Sequence, residues 1–339
     1  MAHLQRKSQQ RLRLALLALG ASAAALLFAG MPDARAEHVW QGYTFNADPN
    51  TAVLLENKMI EELAEATSGD VKIVMHPGGS LSIASTNITA AVSDDVVQFA
   101  DDSLYLGSVP ISGVLRLPFL VHTAAEYQKI RHIVLPYITE QYAKRGVTVL
   151  CQYAYPMQVI WSRDRLVRLA DLRGKKIRIT APEQGEFIKR FGGIPVTMGP
   201  PEIPSALDRG VVSGVLTATS GAGYSWRDLL KSNYRIGINI NDALLVVNTQ
   251  RLEELPAQEQ EKVRTIIGGT CDKITSGLER AETELTNKLI QAGMVVTPAD
   301  PADIDNATKT MTPYWDDWAK QHGPLAGDFL TKIRAELGR

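Results

Sequence analysis

The sequence predicts an α/β protein of two domains bridged by one long helix. Three observations carry this expectation. Short apolar runs alternate with helical patterns along most of the chain, which is the rhythm of β–α–β units. The chain has 339 residues, more than a single hydrophobic core usually organises. After Pro256 no proline occurs as far as Gln291, and apolar residues recur there near helical spacing.

Taken in order, the first segment reads as a leader. Arg6, Lys7, Arg11 and Arg13 precede an apolar run over 14–30, and Ala34-Arg35-Ala36 offers a small-x-small cleavage pattern, so a signal peptide cleaved near Ala36 and export to the periplasm are expected. The run is shorter than the ~20 apolar residues needed to span a bilayer, and no cysteine stands at the cleavage point to accept a lipid. Its loss removes five basic residues and one acid, taking the formal charge from −1 to −5. Nucleic acid is therefore not an expected partner. Cys151 and Cys271 are the sole cysteines, and whether an exported pair so far apart is bridged is left open.

A strand is expected over 39–45, a helix over 51–67 with Val53, Leu54, Met59, Ile60 and Leu63 on one face, and a strand over 71–75. Pro77-Gly78-Gly79 turns the chain toward a helix over 86–92 and a strand over 96–100. This rhythm predicts a largely parallel sheet. Thr123-Ala124-Ala125-Glu126 is a capping box for a helix reaching about 144, kinked at Pro136, with strands over 147–153, 155–161 and 175–180 beyond it. Helices over 184–191 and 202–209 alternate with strands over 195–198 and 211–216. The proline-free stretch predicts either one helix of ~35 residues, ~50 Å long, or two helices broken at Gly268-Gly269. If continuous, it must touch both domains.

The segment Asp171-Leu172-Arg173-Gly174-Lys175-Lys176-Ile177-Arg178-Ile179 holds the candidate anchor for an anion. Alternation sends Arg178 to the face opposite Ile177 and Ile179, toward a cleft while they enter a core. Its planar fork matches a carboxylate. Catalytic patterns are missing by comparison. There is no Gly-x-Ser-x-Gly, His-Glu-x-x-His, Ser-x-x-Lys or Cys-x-x-Cys, and the six histidines lack ligand spacing. Asp101 and Asp102 are adjacent on an expected strand, so they point to opposite faces and form no facing dyad. One is expected to line a cleft and the other to cap a turn.

These pieces, in order, resemble the solute-binding proteins of tripartite ATP-independent periplasmic (TRAP) transporters, in the C4-dicarboxylate-binding family. The resemblance rests on Thr67-Ser68-Gly69, Pro77-Gly78-Gly79-Ser80-Leu81, Leu117-Pro118-Phe119-Leu120, the Arg178 segment, Glu202-Ile203-Pro204-Ser205-Ala206-Leu207 and Gly210-Val211-Val212-Ser213-Gly214. It implies a periplasmic-binding-protein-like fold of two α/β domains joined by hinge strands, with the long helix across both. Domain I is expected over 37–155 plus 243–283, and domain II over 156–242 plus 284–339 with C-terminal helices. It also implies that Arg178 grips a solute carboxylate, with Thr217 from the second domain, Asn241 where the chain crosses back, and Asn46 and Asp101 from the first.

Two departures from the family pattern bear on the solute. Gln158 stands near where some members carry a second arginine, and Ala181-Pro182 replaces an asparagine. Tyr155, Tyr224 and Trp226 offer rigid apolar area near the cleft. The expectation is a monomeric periplasmic receptor, not an enzyme and without a cofactor, that captures an organic acid, a monocarboxylate with an apolar or aromatic body, and delivers it to TRAP permease subunits. The alternatives are a periplasmic enzyme acting on a small carboxylate and the ligand-binding subunit of a sensor.

Overall fold

Two β-sheets, each flanked by helices, organise residues 38–339, the part of the chain described by the computed structural model. The expected leader lies outside these residues. β1 (His38–Tyr43) leads to α1 (Thr51–Ala66), which opens where the Asn50 side chain accepts from the Ala52 amide at 2.8 Å. It buries Ala52, Val53, Met59 and Leu63, with Glu56 on the same stripe. β2 (Val71–His76), α2 (Ile88–Ser93) and β3 (Phe99–Asp102) complete the first series. β3 begins later than expected because Asp95 turns with a positive φ, leaving Val96 exposed.

α3 (Ala124–Ala143) is capped by Thr123 and carries Pro136 inside it without ending there. β4 (Val147–Met157) and β5 (Val159–Ser162) form an almost continuous extended run, yet β4 belongs to the first sheet and β5 to the second. β6 (Lys176–Ile179), α4 (Pro182–Arg190), β7 (Ile194–Thr197), α5 (Ile203–Asp208) and β8 (Gly214–Thr217) follow. β9 (Ser232–Arg235) stays in the second sheet, and β10 (Ile240–Asn248) returns to the first. After α6 (Thr249–Glu253) come α7 (Ala257–Gly268), α8 (Thr270–Gln291), β11 (Val295–Pro298), α9 (Pro301–His322) and α10 (Pro324–Leu337).

The strand orders are β2-β1-β3-β10-β4 and β11-β9-β5-β8-β6-β7, and they correct the expectation of largely parallel sheets. β1 and β3 are parallel, as are β6 with β7 and β8, but β10 runs antiparallel to both β3 and β4, and β5 antiparallel to β8 and β9. The reason is the double crossing between sheets. The chain leaves the first sheet along β4 and re-enters it along β10, so the two crossing segments pair antiparallel at one side of the sheet, with β4 at its edge. Such pairing needs no helical crossover.

The proline-free stretch is two helices, not one. α7 and α8 meet at Gly269, whose φ and ψ of −75° and −7° stay close to helical, so the break is one residue wide. α8 buries Ile274 and Leu278 in the cluster that holds Tyr153 and Leu245 of the first sheet. One turn farther on, Glu282 accepts from the Ser220 amide at 2.8 Å and pairs with Arg235, and Leu289 packs with Val159 and Trp161 of the second sheet. One helix thus packs on both lobes.

Cys151 of β4 and Cys271 in the first turn of α8 form a disulfide with Cα atoms 6.0 Å apart, which answers the question the sequence left open. It closes a loop of 120 residues in sequence separation. Replacing both cysteines by serine is expected to lower stability by ~2–4 kcal/mol through the freed unfolded chain, read as a lower urea midpoint. An unchanged midpoint would mean that α8 packing alone secures the joint.

Candidate functional site

β6 delivers Arg178 as its alternation requires. Gly174, at φ +74°, makes the turn that a side chain would strain, and the strand then puts Ile177 and Ile179 into the main apolar cluster. Arg178 points the other way and is 2% exposed. Its Nε donates to the Met198 carbonyl at 3.0 Å, one terminal nitrogen (Nη2) has no hydrogen-bond partner, and the Trp226 ring lies 5.9 Å from the guanidinium carbon. No ion pair to it exists among the described residues. Burial pushes its pKa down to about 10, with the Glu202 carboxylate opposing that, so it stays a cation at neutral pH. A buried cation without a counter-ion is costly unless a ligand supplies one.

Arg178 faces a cavity of ≈ 40 Å³ between the two sheets. Of the residues singled out from sequence, Asn46, Tyr155, Gln158, Arg178, Thr217, Trp226 and Asn241 line it together. Asp101 and Tyr224 do not. Asp101 sits fully buried behind Asn46, whose Nδ2 it accepts at 2.8 Å, and Tyr224 packs its ring under the Arg227 guanidinium at 4.3 Å. A carboxylate at the end of β3 reads from sequence as a cleft residue, but the Asn46 amide intercepts it. Asp102 turns to the opposite face of β3, where Thr89 and Tyr142 donate to it at 2.6 and 2.9 Å.

The structure adds polar groups that sequence reasoning passed over. Thr180 lines the cavity just before Ala181-Pro182, accepts from Asn241 Nδ2 at 2.9 Å and donates to Gln184 Oε1 at 3.0 Å. Gln184 reaches Asn239, and Asn239 reaches Asn241 Oδ1, each at 3.0 Å. This closed ring of one hydroxyl and three amides holds Asn241 in place. Asn50 of the first lobe donates to the Ser220 and Gly221 carbonyls of the second, which ties the two walls together.

Arg116 was likewise missed, because its short 3₁₀ segment has no periodic pattern. It is as buried as Arg178 but internally neutralised. Its Nε meets Asp242 Oδ1 at 2.8 Å, and Nη2 donates to the Ser103 and Asp242 carbonyls at 3.0 and 2.9 Å. The Tyr105 hydroxyl and Gln152 Nε2 also donate to Asp242, at Oδ2. Of two buried arginines near the joint, Arg116 has a carboxylate counter-ion in Asp242, and Arg178 has none among the described residues.

A larger groove, ≈ 960 Å³, shares Leu104 and Thr180 with the cavity. Its charged lining is Glu183 and Glu202, with neither Arg nor Lys, so a carboxylate gains nothing there. Arg178 lines the smaller cavity and not this groove.

The sequence profile of the family described as bacterial extracellular solute-binding protein, family 7, matches residues 44–321. A Salmonella typhimurium protein named uncharacterized protein YiiZ is 24% identical over 219 residues, 62% of this chain and 67% of its own length. Among solved structures, DctP7 of Bordetella pertussis, an extracytoplasmic solute receptor binding pyroglutamic acid, is similar with a TM-score of 0.81 at 22% identity, covering 87% of this chain and 99% of its own. A TRAP periplasmic solute-binding protein of Shewanella oneidensis with bound succinate has a TM-score of 0.80 at 16% identity, covering 89% and 99%. At such identities the likeness is one of fold.

Proposed function

Because the chain belongs to the bacterial extracellular solute-binding proteins of family 7, we propose that it is a periplasmic receptor which encloses an organic acid between its two lobes and delivers it to a TRAP permease. The observation that carries this reading is Arg178, a buried cation with an unpartnered nitrogen facing a cavity. An acid carboxylate supplies the missing counter-charge, with the Thr217 hydroxyl and the second Asn241 amide hydrogen as further donors. Closure around the acid removes water and strengthens the pair. Solute and closed state stabilise each other, so a permease can tell a loaded receptor from an empty one by shape. The moving units in this reading are 37–155 plus 243–283 against 156–242 plus 284–339. The expected leader explains export. A receptor returns its acid unchanged, whereas the enzyme alternative needs turnover.

The solute we propose is a monocarboxylate with an apolar body. One unpaired cation lines the cavity, Gln158 contributes no second charge, and Tyr155, Trp226 and Phe45 supply apolar walls. Succinate bound by the Shewanella relative marks the competing outcome. A thermal-shift screen of organic acids followed by competition calorimetry is the test, since a ligand at ~100 times its dissociation constant adds roughly 2.7 kcal/mol of stability. Monocarboxylates with an apolar body are expected to bind at least ~10-fold tighter than succinate, because a second carboxylate is desolvated without a partner. Tighter binding of succinate would overturn the monocarboxylate assignment, and silence of every acid would overturn the receptor reading itself.

A further inference from the structure

The wall of the cavity facing away from Arg178 has its hydrogen bonds committed in one direction. Asn46 spends one amide hydrogen on Asp101 Oδ2 at 2.8 Å and the other on the Tyr155 hydroxyl at 2.9 Å. The reverse orientation of this amide would set its carbonyl oxygen against the Asp101 carboxylate, acceptor to acceptor. Tyr153 gives its proton to Asp101 Oδ2 at 3.0 Å, so the hydrogen between the two tyrosines, 2.9 Å apart, belongs to Tyr155. Thr44 donates to the same oxygen at 3.0 Å. Every donor of Asn46 and Tyr155 therefore points inward, and what they leave for a solute is Asn46 Oδ1 and a tyrosine lone pair.

This polarity is enforced from behind. Glu56 is fully buried on α1, and neither of its carboxyl oxygens nor Asp101 Oδ1 has a conventional partner. Burial, together with the nearby Asp101 charge, holds Glu56 well above the usual carboxylate range. Burial also pushes Asp101 up, to about 6, against the donors that lower it. Asp101 Oδ2 accepts from Thr44, Asn46 and Tyr153, and with the second Asn46 hydrogen on Tyr155 no side-chain donor of these three residues is left free. The Ser103 hydroxyl, also in the lining, can donate or accept, so the group of this wall fixed as an acceptor is Asn46 Oδ1.

We infer that the solute carries a hydrogen-bond donor, an N–H or O–H, on the part that meets Asn46 while its carboxylate meets Arg178. The inference rests on the carboxylate-receptor reading and sharpens it: Arg178 requires an acceptor on the solute, its carboxylate, and Asn46 requires a donor on the same molecule. A donor-free solute strands Asn46 Oδ1 in a closed, dry site, and a second carboxylate sets acceptor against acceptor.

Matched pairs of acids that differ by one donor test this in calorimetry with the mature protein. Pyroglutamate is set against the lactone that places oxygen where its N–H stands, and mandelate against phenylacetate. The donor-bearing member of any pair that binds is expected to be at least ~10-fold tighter, the size of a buried acceptor left unpaired. Asn46→Ala should bring that ratio close to one, while Arg178→Ala weakens both members alike; Asn46→Ser serves if the alanine variant fails to fold. Equal or tighter binding of the donor-free members overturns the inference and leaves the receptor reading standing. A ratio that persists without Asn46 also overturns it. If none of the acids binds but others in the wider screen do, the lone-donor chemistry is wrong for this cavity; if no acid binds at all, the receptor reading falls first and the inference with it.

Discussion

Arg178→Ala is expected to cost ~3–5 kcal/mol of solute binding, because it leaves the acid's carboxylate unpaired inside a closed site. Calorimetry would read this as an affinity loss of about two to three orders of magnitude or more. Arg178→Lys is expected to fall well short of rescue, since an ammonium cannot reproduce two parallel hydrogen bonds. The solute-free protein gives the complementary result. In the empty cavity Arg178 is a desolvated charge with an unpartnered nitrogen, so its removal should leave thermal stability unchanged or raise it. A variant that binds normally, or one that loses stability rather than affinity, would show that Arg178 serves the fold and not the solute.

How much of this was legible in the sequence follows from range. Arg178 was readable because four residues suffice: a polar residue between Ile177 and Ile179 on one strand has two faces to choose from, and the turn at Gly174 marks where the strand starts. Glu56 carried a signal that went unused. It sits on the helical stripe with Ala52, Met59 and Leu63, and an acid on an apolar stripe needs a partner or a proton. Asp101 was misplaced because the sequence cannot say that Asn46, 55 positions away, stands in front of it. The parallel-sheet expectation failed for the same reason. β10 is buried along its whole length between β3 and β4, so it shows no alternation, and its two partners are distant in the chain. The closed ring of Thr180, Gln184, Asn239 and Asn241 likewise joins short segments that carry no common pattern.

Asp242→Ala is expected to act on the fold in the way Arg178→Ala does not. Asp242 is a fully buried carboxylate that accepts from Arg116 Nε at 2.8 Å, from Gln152 Nε2 at 2.6 Å and from the Tyr105 hydroxyl. It lies on β10, next to Asn241 but on the other strand face, so the same crossing strand serves the cavity on one side and this ion pair on the other. Removing the carboxylate strands the Arg116 guanidinium, which is 0% exposed and whose Nη1 already lacks a partner, together with a tyrosine and an amide. Breaking one side of a buried pair costs ~3–5 kcal/mol, which for a chain of this size lowers the melting temperature by on the order of 10 °C. Replacing both partners with apolar residues, Arg116→Met with Asp242→Leu, should recover much of that loss, because the two desolvation costs disappear together. Thermal melts of the single and double variants decide it. A double variant as unstable as Asp242→Ala would mean that Tyr105 and Gln152, rather than the stranded charge, set the cost at this joint.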